Sequence, residues 1–244
     1  MAFGLMRNTK NIQNHAMKKL PFQLLFFIVV AINISSIFFN CTILIIVSKP
    51  LIVGSLLCFY LISSMQNIGA VKPLVITAIG CSIIGDVLLL FEKNSPLFFI
   101  FGLVSFLLAH IFYSITFYYF LQKQHIKISW KLLPFVACYY FLLLYVLFPT
   151  LGNMKLPVVV YGAVISTMFF IALHIFFTKQ NAYLIIIGAA FFVLSDTLLA
   201  INKFYTTYYQ ASIFIMITYS FAQYCIVKGI VKITLNIPQQ TISI

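Results

Sequence analysis

The chain of 244 residues is 63% hydrophobic and only 7% charged, with a mean hydropathy of +1.11 and a formal net charge of +12. A soluble domain of this make-up would lack the polar surface to cover its core, so the composition excludes one and indicates a polytopic membrane protein. The positive charge does not indicate a nucleic-acid partner, because the basic residues are dispersed over loop ends without a basic stripe or a base-stacking module. Topology and attraction to anionic headgroups account for them instead.

Eight stretches are long enough to cross a hydrocarbon core of about 30 Å, which needs roughly 20 apolar residues as helix. In chain order they lie near residues 20–39, 43–64, 73–91, 96–121, 132–148, 156–177, 182–201 and 207–230. Continuous apolar runs favour helices over barrel strands, which alternate over about ten residues. The expected fold class is therefore an all-α membrane protein of eight transmembrane helices. Residues 1–19 read as a cytoplasmic extension, 20–232 as the membrane domain and 233–244 as a tail. The run KKLPFQLLFFIVVAINISS begins like a signal peptide, but its apolar part is long and no A-x-A site closes it, so it is taken as the first span.

Orientation follows from the lysines and arginines. With the N-terminus in the cytoplasm, that side receives Arg7, Lys10, Lys18, Lys19, Lys72, Lys123, Lys127, Lys131, Lys179, Lys228 and Lys232, while the other receives Lys93, Lys155 and Lys203. The positive-inside rule then places both termini in the cytoplasm. A helical bundle suits the cytoplasmic membrane of a bacterium or an internal membrane of a eukaryote, not an outer membrane.

Polar residues inside the spans carry the functional signal. Lys49, before Pro50 in the second span, reads either as a snorkelling end or as an anion ligand. Asp86 lies in the apolar run IGCSIIGDVLLLF of the third span, whereas Glu92, beside Lys93 at the span end, reads as an interfacial residue. His110 and Tyr113 share a face of the fourth span, and Tyr219 and Gln223 share one on the eighth. Asp196 is placed on the seventh span as Asp86 is on the third. GDVLLLFEK from Gly85 and SDTLLAINK from Ser195 share a small residue, Asp, a Leu pair and a Lys seven positions after the Asp, as two parallel four-helix halves would. An ionised carboxylate costs about 3 kcal/mol at a bilayer centre, so both aspartates should face one interior cavity. The competing reading is plain interhelical hydrogen bonding.

The remaining titratable residues point nowhere in particular. His174 has no comparable neighbourhood, and His15 and His125 read as solvent-facing. Cys41, Cys58, Cys81, Cys138 and Cys225 show no C-x-x-C spacing and read as reduced packing residues. No metal or cofactor is expected, because a zinc hydrolase needs three or four converging ligands and, of the histidines, only His110 and His174 fall within spans.

SKPL at 48–51, IGCSIIGDVLLLF, FGLVSFLLAHIFY, VYGAVISTM at 160–168, IGAAFFVLSDTLLAINKF and YSFAQY together resemble the lysoplasmalogenase family, also called YhhN-like proteins, over nearly the whole chain after residue 40. The resemblance implies an intramembrane hydrolase that cleaves the vinyl ether bond of lysoplasmalogens to a fatty aldehyde and glycerophosphocholine or glycerophosphoethanolamine. It also implies that Asp86 and Asp196 are the catalytic pair, and that Lys49, His110, Tyr113, Tyr161, Tyr219 and Gln223 are the polar residues around the substrate. The expected partners are a lysophospholipid substrate and the surrounding membrane lipids.

The chemistry fits these residue types. A vinyl ether hydrolyses when a proton reaches its β-carbon and water captures the resulting oxocarbenium ion, so the site needs an acid and a nearby negative charge. Two carboxylates in one dry pocket supply both, since such a pair keeps one proton. Sequence does not say which aspartate is the acid. A proton-coupled transporter of a small solute or lipid would also use an aspartate in each half, although Gly and Pro do not interrupt the spans at matching places. A scaffold role gives the aspartates no task.

Overall fold

The computed structural model describes residues 2–64, 69–178 and 182–236, with side chains described from Leu20 to Leu235 within them except at 177 and 178. Eight α-helices account for nearly all of this: α1 (Ala2–Phe38), α2 (Thr42–Ser63), α3 (Val71–Leu90), α4 (Pro96–Lys123), α5 (Leu133–Leu147), α6 (Lys155–Thr178), α7 (Tyr183–Ala200) and α8 (Ala211–Asn236). No strand occurs among the described residues, and eight helical segments are long and apolar enough to cross a membrane.

Local sequence sets the helix ends. Asn40 closes α1 at φ 54°, with the Cys41 N–H donating to the Ser36 carbonyl and the Asn40 N–H to that of Ile37. His125 closes α4 in the same way at φ 52°, through Ile126 N–H to Leu121 and His125 N–H to Gln122. Both are left-handed caps that satisfy terminal carbonyls and turn the chain sharply. At the start of α4 the Ser95 hydroxyl accepts from the Leu97 N–H, and Pro96 occupies the first helical turn, where its missing N–H is not needed.

Two elements differ from the sequence expectation. The first helix runs unbroken from Ala2 through Pro21, so residues 2–19 continue the first span as helix. The fifth span is regular α-helix only over the 15 residues of α5, with Pro134 near its start. Single 3-10 turns at Trp130–Leu132 and Phe148–Thr150 extend it at either end. The α-helical part covers about 22 Å at 1.5 Å per residue, and the more extended 3-10 turns bring the span to roughly 34 Å.

The helices pack in a repeating order. Within the first half α1 packs on α2, α2 on α3 and α3 on α4; within the second, α5 packs on α6, α6 on α7 and α7 on α8. The halves join reciprocally, α4 against α6 and α8 against α2, so the fourth helix of each half meets the second helix of the other. Small residues bring the helices together. A Cβ on Gly85 would lie 2.7 Å from the Phe106 ring, and one on Gly188 would lie 2.8 Å from the Ile226 nitrogen and 2.9 Å from the Ala222 carbonyl oxygen. Of all the spans α8 is the most buried and α5 the least, the latter turning Phe135, Phe141, Leu142 and Tyr145 outward.

Candidate functional site

Each aspartate sits four residues before the end of its α-helix, Asp86 on α3 and Asp196 on α7, about one helical turn or 6 Å inside the bundle end. Asp86 is buried on all sides. Its Oδ2 accepts a hydrogen bond from the Tyr219 hydroxyl of α8 at 2.8 Å, and the Lys49 Nζ of α2 stands 4.0 Å from Oδ1. Behind Tyr219 runs a one-way chain of donors. The Tyr113 hydroxyl of α4 donates to Gln223 Oε1 at 2.9 Å, and Gln223 Nε2 donates to the Tyr219 oxygen at 3.3 Å. Aligned donors of this kind polarise one another, and here they converge on the Asp86 carboxylate.

Asp196 has a different set of neighbours. Its Oδ2 accepts from the Tyr161 hydroxyl of α6 at 2.6 Å and lies 3.7 Å from His110 Nε2 of α4. The His110 ring is buried and held by its Nδ1, which lies 2.6 Å from the Phe106 carbonyl one turn earlier. The reciprocal packing of the halves is thus repeated in the site. Each aspartate meets one group from the second helix of its own half, Lys49 or Tyr161, and one from the fourth helix of the other half, Tyr219 or His110.

An aromatic wall joins the two clusters. Phe192, one turn before Asp196, places its ring centroid 4.9 Å from that of His110 and 5.7 Å from that of Tyr219. Phe106 holds His110 by its carbonyl while its ring packs edge-on to Tyr219 at 5.7 Å and fills the space left by Gly85. Both carboxylates therefore border one apolar group of rings, the kind of surface on which a hydrocarbon chain can lie.

All eight residues singled out in the sequence lie in these two clusters: Asp86 with Lys49, Tyr113, Tyr219 and Gln223, and Asp196 with His110 and Tyr161. Sequence reading passed over Phe106 and Phe192, which carry no signal among 27 phenylalanines. It also passed over Tyr139 on α5, whose hydroxyl lies 2.5 Å from the Thr197 hydroxyl next to Asp196. Asn33 of α1, donating to Ser48 at 2.8 Å, braces the turn of α2 that bears Lys49.

Glu92, at the end of α3, accepts from Lys203 at 2.8 Å and so ties that end to the π-helical turn Ile201–Tyr205 that follows α7. One further expectation changes. His174 does have a structured neighbourhood: its Nδ1 lies 2.8 Å from the Phe170 carbonyl and its Nε2 accepts from the Ser129 N–H at 2.8 Å, anchoring the connection before α5. Among the described residues no three His, Cys, Asp or Glu side chains converge as metal ligands would.

A sequence model described as the YhhN family matches residues 44–230, more than three quarters of the chain. The chain belongs to the YhhN family. The matched part of this YhhN protein opens within α2 before Lys49 and closes within α8 after Gln223, so it contains both aspartates and every side chain that touches them. No curated protein and no solved structure matches the chain.

Proposed function

We propose that this YhhN protein is an intramembrane hydrolase that cleaves the vinyl ether bond of lysoplasmalogens, with Asp86 and Asp196 as its acid–base pair. The observation that carries the reading is the pairing of two inward-facing carboxylates, each receiving a tyrosine hydroxyl, around one aromatic wall. Protonating the β-carbon of a vinyl ether demands a positioned acid, and capturing the cation demands a base that orients water. General acid–base groups of this kind are each worth about 10²- to 10⁴-fold in rate.

Other features support the same substrate. Lys49 stands 4.0 Å from Asp86, too far for a tight ion pair, and its remaining N–H donors are available to a headgroup phosphate. Tyr and Gln hydroxyl and amide groups suit the glycerol, and the rings of Phe106 and Phe192 suit the alkenyl chain. On the lysine distribution the aspartates lie nearer the non-cytoplasmic face.

The test is aldehyde release from a 1-alkenyl lysophospholipid by purified protein in detergent, with Asp86→Asn, Asp196→Asn and a chelator control. Turnover should fall at least about 100-fold in each variant while the protein stays folded. Substantial turnover in either variant refutes the acid pair. No release from folded wild type favours the proton-coupled carrier, because transport needs a sealed compartment and hydrolysis does not.

A further inference from the structure

The two histidines buried in the helices have the same local geometry and different surroundings. Each places Nδ1 against the carbonyl of the residue four positions earlier, His110 at 2.6 Å from Phe106 and His174 at 2.8 Å from Phe170. A carbonyl only accepts, so Nδ1 of His110 carries the hydrogen and Nε2 of its neutral ring is a lone pair. In His174 the Nε2 meets the Ser129 backbone, 2.8 Å from its nitrogen and 3.0 Å from its carbonyl oxygen. In His110 that lone pair is buried without a hydrogen-bond partner among the described residues, and Asp196 Oδ2 lies 3.7 Å away.

An imidazole lone pair facing an ionised carboxylate inside an apolar bundle would set two acceptors against each other. One proton removes the conflict. We infer that Asp196 is the neutral acid, its proton directed at His110 Nε2, and that Asp86 works ionised. Every group that faces Asp86 fits the second half of this assignment. Tyr219 of α8 donates to Oδ2 at the end of the Tyr113–Gln223 chain, and the Lys49 ammonium of α2 stands beside Oδ1. Around Asp196 stand Tyr161 of α6, which donates to the same Oδ2, and His110 of α4, with no lysine or arginine paired to it among the described residues. The repeat places the aspartates alike; their cross-half partners, a base for one and a cation with a donor chain for the other, make them unlike.

Resting on the hydrolase reading, the assignment orders the reaction. Asp196 gives its proton to the β-carbon, whose π electrons form the new C–H bond, and the α-carbon becomes an oxocarbenium ion beside the Asp86 carboxylate. Water attacks that carbon and loses a proton to Asp86, leaving a hemiacetal. The hemiacetal hydroxyl returns a proton to Asp196 as the bond to the glycerol oxygen breaks, and that oxygen takes the proton from Asp86. Both acids end as they began. His110 is a positioning residue, holding the Asp196 proton until substrate displaces it.

Infrared spectroscopy of the purified, substrate-free protein in detergent near neutral pH tests this without any turnover. The carbonyl stretch of a protonated carboxylic acid should be present in the wild type, lost in Asp196→Asn and kept in Asp86→Asn. In His110→Gln it should move, because the ring nitrogen that faces the acid is replaced by an amide. A band that disappears with Asp86→Asn, that is absent from the wild type, or that stays unmoved in His110→Gln overturns the assignment. The expected bands from a protein that releases no aldehyde would leave the assignment standing and overturn the hydrolase reading alone. Aldehyde release with the band retained in Asp196→Asn would do the reverse.

Discussion

Replacing Gly188 with alanine adds one methyl group where α7 and α8 touch. An ideal Cβ there lies 2.6 Å from the Ile226 Cγ1, 2.8 Å from the Ile226 nitrogen and 2.9 Å from the Ala222 carbonyl oxygen. The side-chain atom can swing away, but the two backbone atoms cannot. Bringing them to ordinary contact at 3.4 Å requires α8 to retreat by 3.4 − 2.8 = 0.6 Å from one and 3.4 − 2.9 = 0.5 Å from the other. Overpacking of this order costs about 1–3 kcal/mol. Because Gln223 lies between Ala222 and Ile226, the retreat also pulls on its bonds to Tyr113 and Tyr219. Misplacement of about 1 Å near a reacting centre can cost roughly 100-fold in rate, so under the proposed hydrolase reading turnover should fall along with stability. The comparison is Gly80→Ala on α3, where a Cβ meets nothing within 4 Å. That change should be neutral or stabilising by up to about 1 kcal/mol, the helix propensity difference between the two residues. Melting curves in one detergent measure both. A Gly188→Ala protein as stable as Gly80→Ala would refute the view that backbone contact sets the α7–α8 separation.

The donor chain is open to a double-mutant cycle. Gln223→Leu should cost about 1–3 kcal/mol by leaving the buried Tyr113 hydroxyl without its acceptor, and adding Tyr113→Phe should cost less than the sum of the single changes. At the bundle end, Glu92→Gln should change stability by no more than about 1 kcal/mol, since Glu92 and Lys203 are both about a third exposed. Its effect should shrink further in high salt.

The spans were legible because hydropathy over about 20 residues is a property of the chain itself. The fifth was legible in extent but not in form, since its outer turns become 3-10 next to Pro134 and Pro149, a local effect that hydropathy does not register. Residues 2–19 are too polar to read as span, yet they continue α1 as helix. In the site, Asp86 and Asp196 stood out because carboxylates are rare in apolar runs. Their partners did not announce which aspartate they serve. Tyr219 meets Asp86 and His110 meets Asp196 only because the halves pack reciprocally, and neither the 133-residue separation of the first pair nor the crossing of the second leaves a trace in local sequence. Phe192 was invisible for the opposite reason, being one aromatic residue in a chain full of them.

The burial of α8 bears on how the molecule is made. It leaves the ribosome after the other seven, and with a hydropathy of 1.5 against 2.0 to 2.4 for them it is the one least driven into lipid by its own composition. Two thirds of its most apolar window is covered by protein, so packing against the other helices, more than contact with lipid, holds it in place. Tyr219 and Gln223 arrive with it. Until α8 has been made Asp86 has no tyrosine and Tyr113 no amide, and a chain cut before α8 holds both aspartates with only part of the polar shell that meets them in the folded protein.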